Sequence, residues 1–272
     1  ASGSIGGATS STYTTGTAGS YYVVVTGTCS ALTSSTAQVT VNPLPQGSLS
    51  GSTICAGSSG SLTYTSSVAG TGPYTVVYNN GVSNVTVSNV VSGVGFASLS
   101  PASTTTYTLV SVTDANGCVR SSGFTGGSAT ITVNPKPTAT LSGTQTICAN
   151  GSATLSVALT GTAPFVVTLN DGTQATINAT PGTIIVTPNA ATTYTIVSVV
   201  DANGCSNTGT GSAVITLNTP VAITAQPVAA TLCSGATTTL SVTATGTGLT
   251  YQWYDASGSI GGATSSTYTT GT

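Results

Sequence analysis

The sequence predicts an all-β protein made of repeated two-sheet sandwiches, with no helices. Three observations carry this. Val, Ile, Leu and Tyr cluster in short runs that alternate with Ser and Thr, the two-residue period of a half-buried strand. Helix-building residues are nearly missing: there is no Glu and no Met, and Lys occurs only as Lys136. The apolar runs are separated by Gly, Asn-Gly, Asp-Gly and Pro, the residues that turns between strands require.

The same blocks recur along the chain. YTLVSVTDANGC (107–118) returns as YTIVSVVDANGC (194–205), and in shortened form as YYVVVTGTC (21–29). A second block reads ICAGSSGSL from Ile54, ICANGSATL from Ile147 and LCSGATTTL from Leu232. A third reads GTGPYTVVYNNG, GTAPFVVTLNDG and GTGLTYQWYDASG. TVNPLP (40–45), TVNPKP (132–137) and TLNTP (216–220) set the boundaries, because Pro lacks the ladder N–H and ends strands. The predicted modules are residues 44–135 and 136–218. Residues 219–272 supply the front half of a third module, and residues 1–43 the back half.

Those two halves belong to successive copies. ASGSIGGATSSTYTTGT stands at residues 1–17 and again at 256–272, a period of 255 residues. Residues 1–43 lack the front half of a sandwich and are not expected to fold unaided. The expected architecture is therefore head-to-tail sandwiches in a tandem array, each 219–255 segment completed by residues 1–43 of the next copy. A separate subunit that polymerises by docking one chain's 219–255 on another's 1–43 is the alternative.

Within a module the strands follow in order. In 136–218, SATLSVAL (152–159) is the second strand, PFVVTL (164–169) the third, YTIVSVV the sixth and SAVITLN the last, with DANG a turn. Asn170-Asp171-Gly172 and Asn79-Asn80-Gly81 make tight hairpins, since Asn, Asp and Gly tolerate positive φ. About seven short strands in roughly 80–90 residues describe a two-sheet sandwich.

The third module, written CxG…YQWY…STYT…GSYYVVV…C…VTVNP, resembles the Ig-like and PKD-like repeats of giant Bacteroidota surface proteins. Gliding-motility adhesins and other cargo of the type IX secretion system are among them. In that resemblance Trp253 takes the place of the third-strand Trp that packs between the sheets, and Tyr74 and Phe165 stand there in the other two modules. The resemblance implies an extracellular or cell-surface location and a structural or adhesive role. It specifies no chemistry; the expected partners, copies of the same chain joined head-to-tail, follow from the shared third module.

Each module carries two cysteines: Cys55 and Cys118, Cys148 and Cys205, Cys233 and the next copy's Cys29. Even distribution in a chain of secreted type predicts disulfides. Without a Cys-x-x-Cys pair or any His, a metal site is not expected. The first Cys precedes the second strand and the second Cys follows the sixth, and these two strands run the same way. A strand of about seven residues spans roughly 23 Å, against the ~7 Å between Cα atoms that a disulfide permits. The expected pairing staples neighbouring modules: Cys55 with Cys205, Cys148 with the next Cys29, Cys233 with the next Cys118. Pairing inside modules, Cys55–Cys118 and Cys148–Cys205, is the alternative.

Composition excludes several functions. Charged residues make up 2% of the chain, namely Lys136, Arg120, Asp114, Asp171, Asp201 and Asp255. No basic surface for nucleic acid can be assembled from them. With no His or Glu, no acid–base pair or activated nucleophile is expected, so neither enzyme activity nor a cofactor is. No apolar run is long enough to span a bilayer, so membrane insertion is not expected. Asp114 and Asp201 in DANGC are read as turn formers rather than calcium ligands, because calcium wants six to eight oxygens. Asn84, Asn150 and Asn178 stand in N-x-S/T sequons, a weak signal in a Thr-rich chain. Trp253, Tyr21, Tyr107 and Tyr194 lie within apolar alternation and read as core, with a sugar-binding platform as the competing use.

Overall fold

The computed structural model describes residues 3–68 and 70–271; residues 1, 2, 69 and 272 of the expected modules lie outside these. Among the described residues every regular element is a strand. The chain divides into two compact units, Ala1–Val133 and Asn134–Thr272.

In the first unit a β-sandwich closes around Leu49, Leu62, Tyr64, Tyr74, Val76, Tyr78, Tyr107, Val112 and Ile131. One sheet runs Gly95–Leu99, Gly60–Ser66, Gly47–Gly51; the other runs Thr53–Cys55, Ser128–Asn134, Thr105–Thr113, Tyr74–Asn79, Asn84–Val90. Strict alternation in Tyr74–Asn79 buries Tyr74, Val76 and Tyr78 on one face, as the two-residue pleat dictates. The first strand breaks at Ser52, so its two parts edge different sheets.

In the second unit the sandwich closes around Leu141, Leu155, Val157, Phe165, Val167, Val199 and Ile215, among others. Gly182–Val186, Ala153–Thr160, Thr138–Ser142 and Thr210–Gly211 form one sheet. The facing layer is split between Gln145–Cys148, Ala213–Asn218, Thr192–Tyr194 and a second set, Gln174–Ile177, Phe165–Leu169, Ile196–Val200, Ser206–Asn207. The second, third and last strands fall within two residues of their expected positions. The sixth is not the continuous YTIVSVV of the sequence reading: it breaks at Thr195. There Asn170 of the hairpin inserts its amide, accepting the Thr195 N–H at 3.0 Å and donating to the Thr193 carbonyl at 3.0 Å. Such breaks also give more strand segments than the seven expected.

The remaining stretches are different. Residues 3–43 hold two small antiparallel strand pairs, Gly19–Tyr21 with Ala37–Val39 and Val24–Thr26 with Ala31–Thr33. Residues 219–271 hold three: Ala222–Ala225 with Thr243–Thr245, Thr239–Ser241 with Thr267–Thr269, and Tyr254–Asp255 with Gly258–Ser259. No described residue of either stretch is buried. Two-stranded ribbons without a covered face contribute little stability of their own.

Candidate functional site: cysteine turns, aspartate turns and two open faces

Each first cysteine opens the same turn. The carbonyls of Cys55, Cys148 and Cys233 accept the N–H three residues on, from Ser58 (2.9 Å), Gly151 (2.9 Å) and Ala236 (3.1 Å). The third residue of each turn is left-handed: Gly57 at φ 81°, Asn150 at 64° and Gly235 at 83°. That backbone selects Gly, or Asn among the others, which explains why the block reads CAG, CAN and CSG.

Each second cysteine in the closed sandwiches ends an aspartate turn. Asp201 Oδ1 accepts the Asn203 and Cys205 N–H groups, both at 3.0 Å; Asp114 Oδ1 accepts those of Asn116 (3.0 Å) and Cys118 (2.9 Å). Both carboxylates are 5% exposed, so these donors replace the water each has lost. Asn203 then donates to Thr162 Oγ1 at 3.0 Å and Asn116 to Thr71 Oγ1 at 3.2 Å. The Ala202 and Ala115 N–H groups reach the carbonyls of the same threonines at 2.9 and 2.8 Å. DANG and GT[G/A]P are thus two faces of one lock, sewing the sixth-strand turn to the loop before the third strand. Asp114 Oδ2 has no partner.

A second contact repeats beside it. The Arg120 Nε donates to the Pro45 carbonyl at 2.6 Å, and Asn207 Nδ2, the same position in the second sandwich, donates to Pro137 at 2.9 Å. Each side chain holds the boundary proline against its own sandwich. Sequence reasoning gave no role to Thr71, Thr162, Asn116, Asn203, Arg120 or Asn207. The signal was present, since GT[G/A]P and DANG recur together as whole blocks.

Cys55 and Cys205 are each disulfide-bonded, whereas Cys29, Cys118, Cys148 and Cys233 are free thiols. The alternative pairings Cys55–Cys118 and Cys148–Cys205 are therefore not formed. Cys205 is fully buried; Cys29, Cys148 and Cys233 are exposed and Cys118 half-buried. No cluster of three or more His, Cys, Asp or Glu that could hold a metal occurs among the described residues.

The aromatic residues divide the same way. Tyr107 and Tyr194 are buried in the two cores, as are Tyr74 and Phe165. Burial pushes the Tyr107 and Tyr194 hydroxyls above their ordinary pKa, with Asp171 adding to the rise at Tyr194. Tyr21 and Trp253 are only half-buried. Yet Tyr21 faces Ala37 across its ribbon just as Tyr107 faces Ala129 and Tyr194 faces Ala213. Its hydroxyl donates to the Thr17 carbonyl at 2.8 Å. The ribbon at 19–39 thus has the sixth-to-last strand register of a closed sandwich without the rest of it.

The two closed units are each built on a β-sandwich with its own core. Residues 220–272 match the family described as "Ig-like domain CHU_C associated". The chain is similar to a structure of three titin Ig domains in a Glu-to-Ala variant, at 13% identity over 80% of both chains, with a TM-score of 0.46. It is also similar to the N-terminal four Ig domains of a Dscam1 isoform, at 13% identity over 93% of this chain and 73% of that one, TM-score 0.27. No curated protein matches. No helix among the described residues is long and apolar enough to cross a membrane.

Proposed function

We propose that the chain is the structural repeat of an extracellular bacterial filament or giant surface adhesin, of the Bacteroidota surface-protein kind. Its Ig-like modules are 44–135, 136–218 and one shared between 219–272 and residues 1–43 of the next copy. The supporting observation is the state of the cysteines. Of the three staples expected between neighbours, only Cys55–Cys205 lies inside one repeat, and Cys55 and Cys205 are each disulfide-bonded. The same end-to-end rule pairs the other four cysteines with adjacent copies: Cys148 with the next Cys29, Cys233 with the next Cys118. Each such staple forms when two thiols give two protons and two electrons to a dithiol–disulfide oxidant outside the cell.

The mechanism is mechanical. Ladder hydrogen bonds and burial resist extension, and covalent staples limit slack between modules. With charged residues at 2% of the chain, filament integrity changes little with salt or mid-range pH.

Peptide mapping of native, oxidised material without reduction tests this. Cys148–Cys29 and Cys233–Cys118 peptides are expected. Recovery of Cys118 and Cys148 as alkylatable thiols overturns the stapled filament. A reduced denaturing gel then separates the two assemblies, very large chains meaning a tandem array and a band near 26.2 kDa a subunit polymer.

A further inference from the structure

We propose that the open face of residues 219–271 is completed by residues 18–43 of a second copy of this chain, seating that copy's Tyr21 on Tyr268 in a three-ring stack with Trp253. The inference rests on the repeat reading above and names the surface by which copies join.

It follows from one segment in two surroundings. Tyr13 and Tyr268 are the same position of the repeat. Tyr268 lies 6.0 Å from Trp253, centroid to centroid, with the rings 32° apart. Tyr13 lies 5.9 Å from Tyr21 with the rings 42° apart. Both copies keep the same turn, with Ala263 donating to Ile260 at 3.1 Å and Ala8 to Ile5 at 3.2 Å. The shared tyrosine thus has Trp253 as its ring neighbour in one copy and Tyr21 in the other. The closed first sandwich already contains such a chain of rings: Phe96 to Tyr78 at 6.2 Å and Tyr78 to Tyr107 at 5.9 Å. Tyr107 is there the strand partner of Ala129, the place Tyr21 holds beside Ala37.

The surfaces suit each other. The open face holds an apolar cleft of about 320 Å³ lined by Val221, Ile223, Val242, Ala244, Leu249 and Trp253. The incoming segment leaves Val23, Val25, Leu32 and Val41 between 50% and 77% exposed. Residues 18–43 carry no charge, and 219–271 carry only Asp255, so joining strands no ion in an apolar interface. An unpaired apolar face of this kind marks an interaction site.

Trp253 is the single tryptophan, so its emission reports on this face alone. In the 272-residue chain, emission and sedimenting mass are followed against concentration. A blue shift that tracks association is expected. Tyr21→Ala should raise the concentration needed by about tenfold or more, as loss of a central aromatic anchor does. Tyr22→Ala, one residue beyond the end of the Gly19–Tyr21 strand, should leave it nearly unchanged. Circular dichroism of the same samples checks that the two closed sandwiches are intact. Emission and mass independent of concentration overturn the proposal. So does equal weakening by both variants, or a monomer whose Trp253 is buried at every dilution. If docking occurs but the intercopy disulfides are absent, only the stapled-filament reading fails; mapped disulfides without docking sink only this one.

Discussion

Thr267–Thr269 forms a strand against Thr239–Ser241, whereas Thr12–Thr14, the same residues of the preceding repeat, belong to no strand. Around them the turn is the same in both copies, with Gly7 at φ 78° and Gly262 at 72°. Ile5 is 45% exposed, while Ile260 is half-covered. Sequence identity is complete, so the difference comes from what lies alongside. A turn closes through neighbours three residues apart and needs nothing more. A strand needs a second strand to take its N–H and C=O groups and to cover its apolar side chains. The closed sandwiches supply both inside one module; the open stretches have only half the set.

The largest effect sharpens that contrast in energy. Leu155 is fully buried in the second sandwich, so Leu155→Ala should cost about 2–5 kcal/mol. Leu240, half-covered in the open half, should cost less than ~1 kcal/mol in a dilute single repeat, because little apolar area leaves water there. Denaturant titration measures both. An equal loss at the two positions would break the comparison.

Next come the locks that only the closed sandwiches possess. Asp201→Ala strips the buried Cys205 N–H and the part-buried Asn203 N–H of their acceptor and should cost about 1–3 kcal/mol. The corresponding turn of the third module reads Thr26-Gly27-Thr28-Cys29, with neither Asp nor Asn. Thr247, the counterpart of Thr71 and Thr162, instead accepts the Thr219 N–H at 2.9 Å. Thr28→Ala should therefore change thermal stability by less than ~0.5 kcal/mol. A drop comparable to that of Asp201→Ala would reveal a lock where none is seen.

These contrasts also mark how far the sequence could be read. Alternating Val, Ile, Leu and Tyr defines the strands, and the left-handed positions at Gly57, Asn150 and Gly235 follow from turn chemistry alone. Asp114 and Asp201 are legible as turn formers because an Asx side chain bonds backbone two residues on. What escapes is everything decided across the chain. The sixth strand breaks at Thr195 because Asn170, 25 residues away, offers a competing amide. Arg120 reaches a carbonyl 75 residues back; no local pattern announces it. Phe165 and Tyr74 sit where the resemblance put an aromatic, but Trp253 is only half-covered, since the matching strands are missing from its half.

A smaller effect separates the two kinds of tyrosine. Tyr64 is fully buried and its hydroxyl has no hydrogen-bond partner; Ser66, close in sequence, donates instead to the Gln46 and Val68 carbonyls. Burial first, then Tyr74 beside it, push the Tyr64 hydroxyl above its ordinary pKa. Tyr78, Tyr107 and Tyr194 are raised by burial as well. Such groups hold their protons more tightly folded than unfolded. Their contribution is present below the unfolded value of about 10 and is lost as pH rises through the folded one. Stability should be flat through neutral pH and fall in the alkaline range. Tyr64→Phe should add up to about 1 kcal/mol and soften the alkaline fall, read by denaturant titration at pH 8 and above 10. A loss on removing the hydroxyl would mean that it has a partner after all.

The most local effect tests whether the turn is as self-sufficient as its recurrence indicates. Gly7 and Gly262 have open space where a Cβ would stand, so any penalty for Ala comes from the left-handed backbone alone, about 1 kcal/mol. That penalty falls on the turn. Gly7→Ala and Gly262→Ala should both speed hydrogen exchange at the next residue but one or nearer, Ala8 and Ala263, whose N–H groups close the turn. Gly7→Ala should stop there, because Thr12–Thr14 have no ladder to lose. Gly262→Ala should also loosen Thr267–Thr269 slightly, since the turn delivers that strand to Thr239–Ser241. If both variants leave exchange at Ala8 and Ala263 unchanged, the turn is not what holds the segment's shape. The agreement of the two copies would then need another cause.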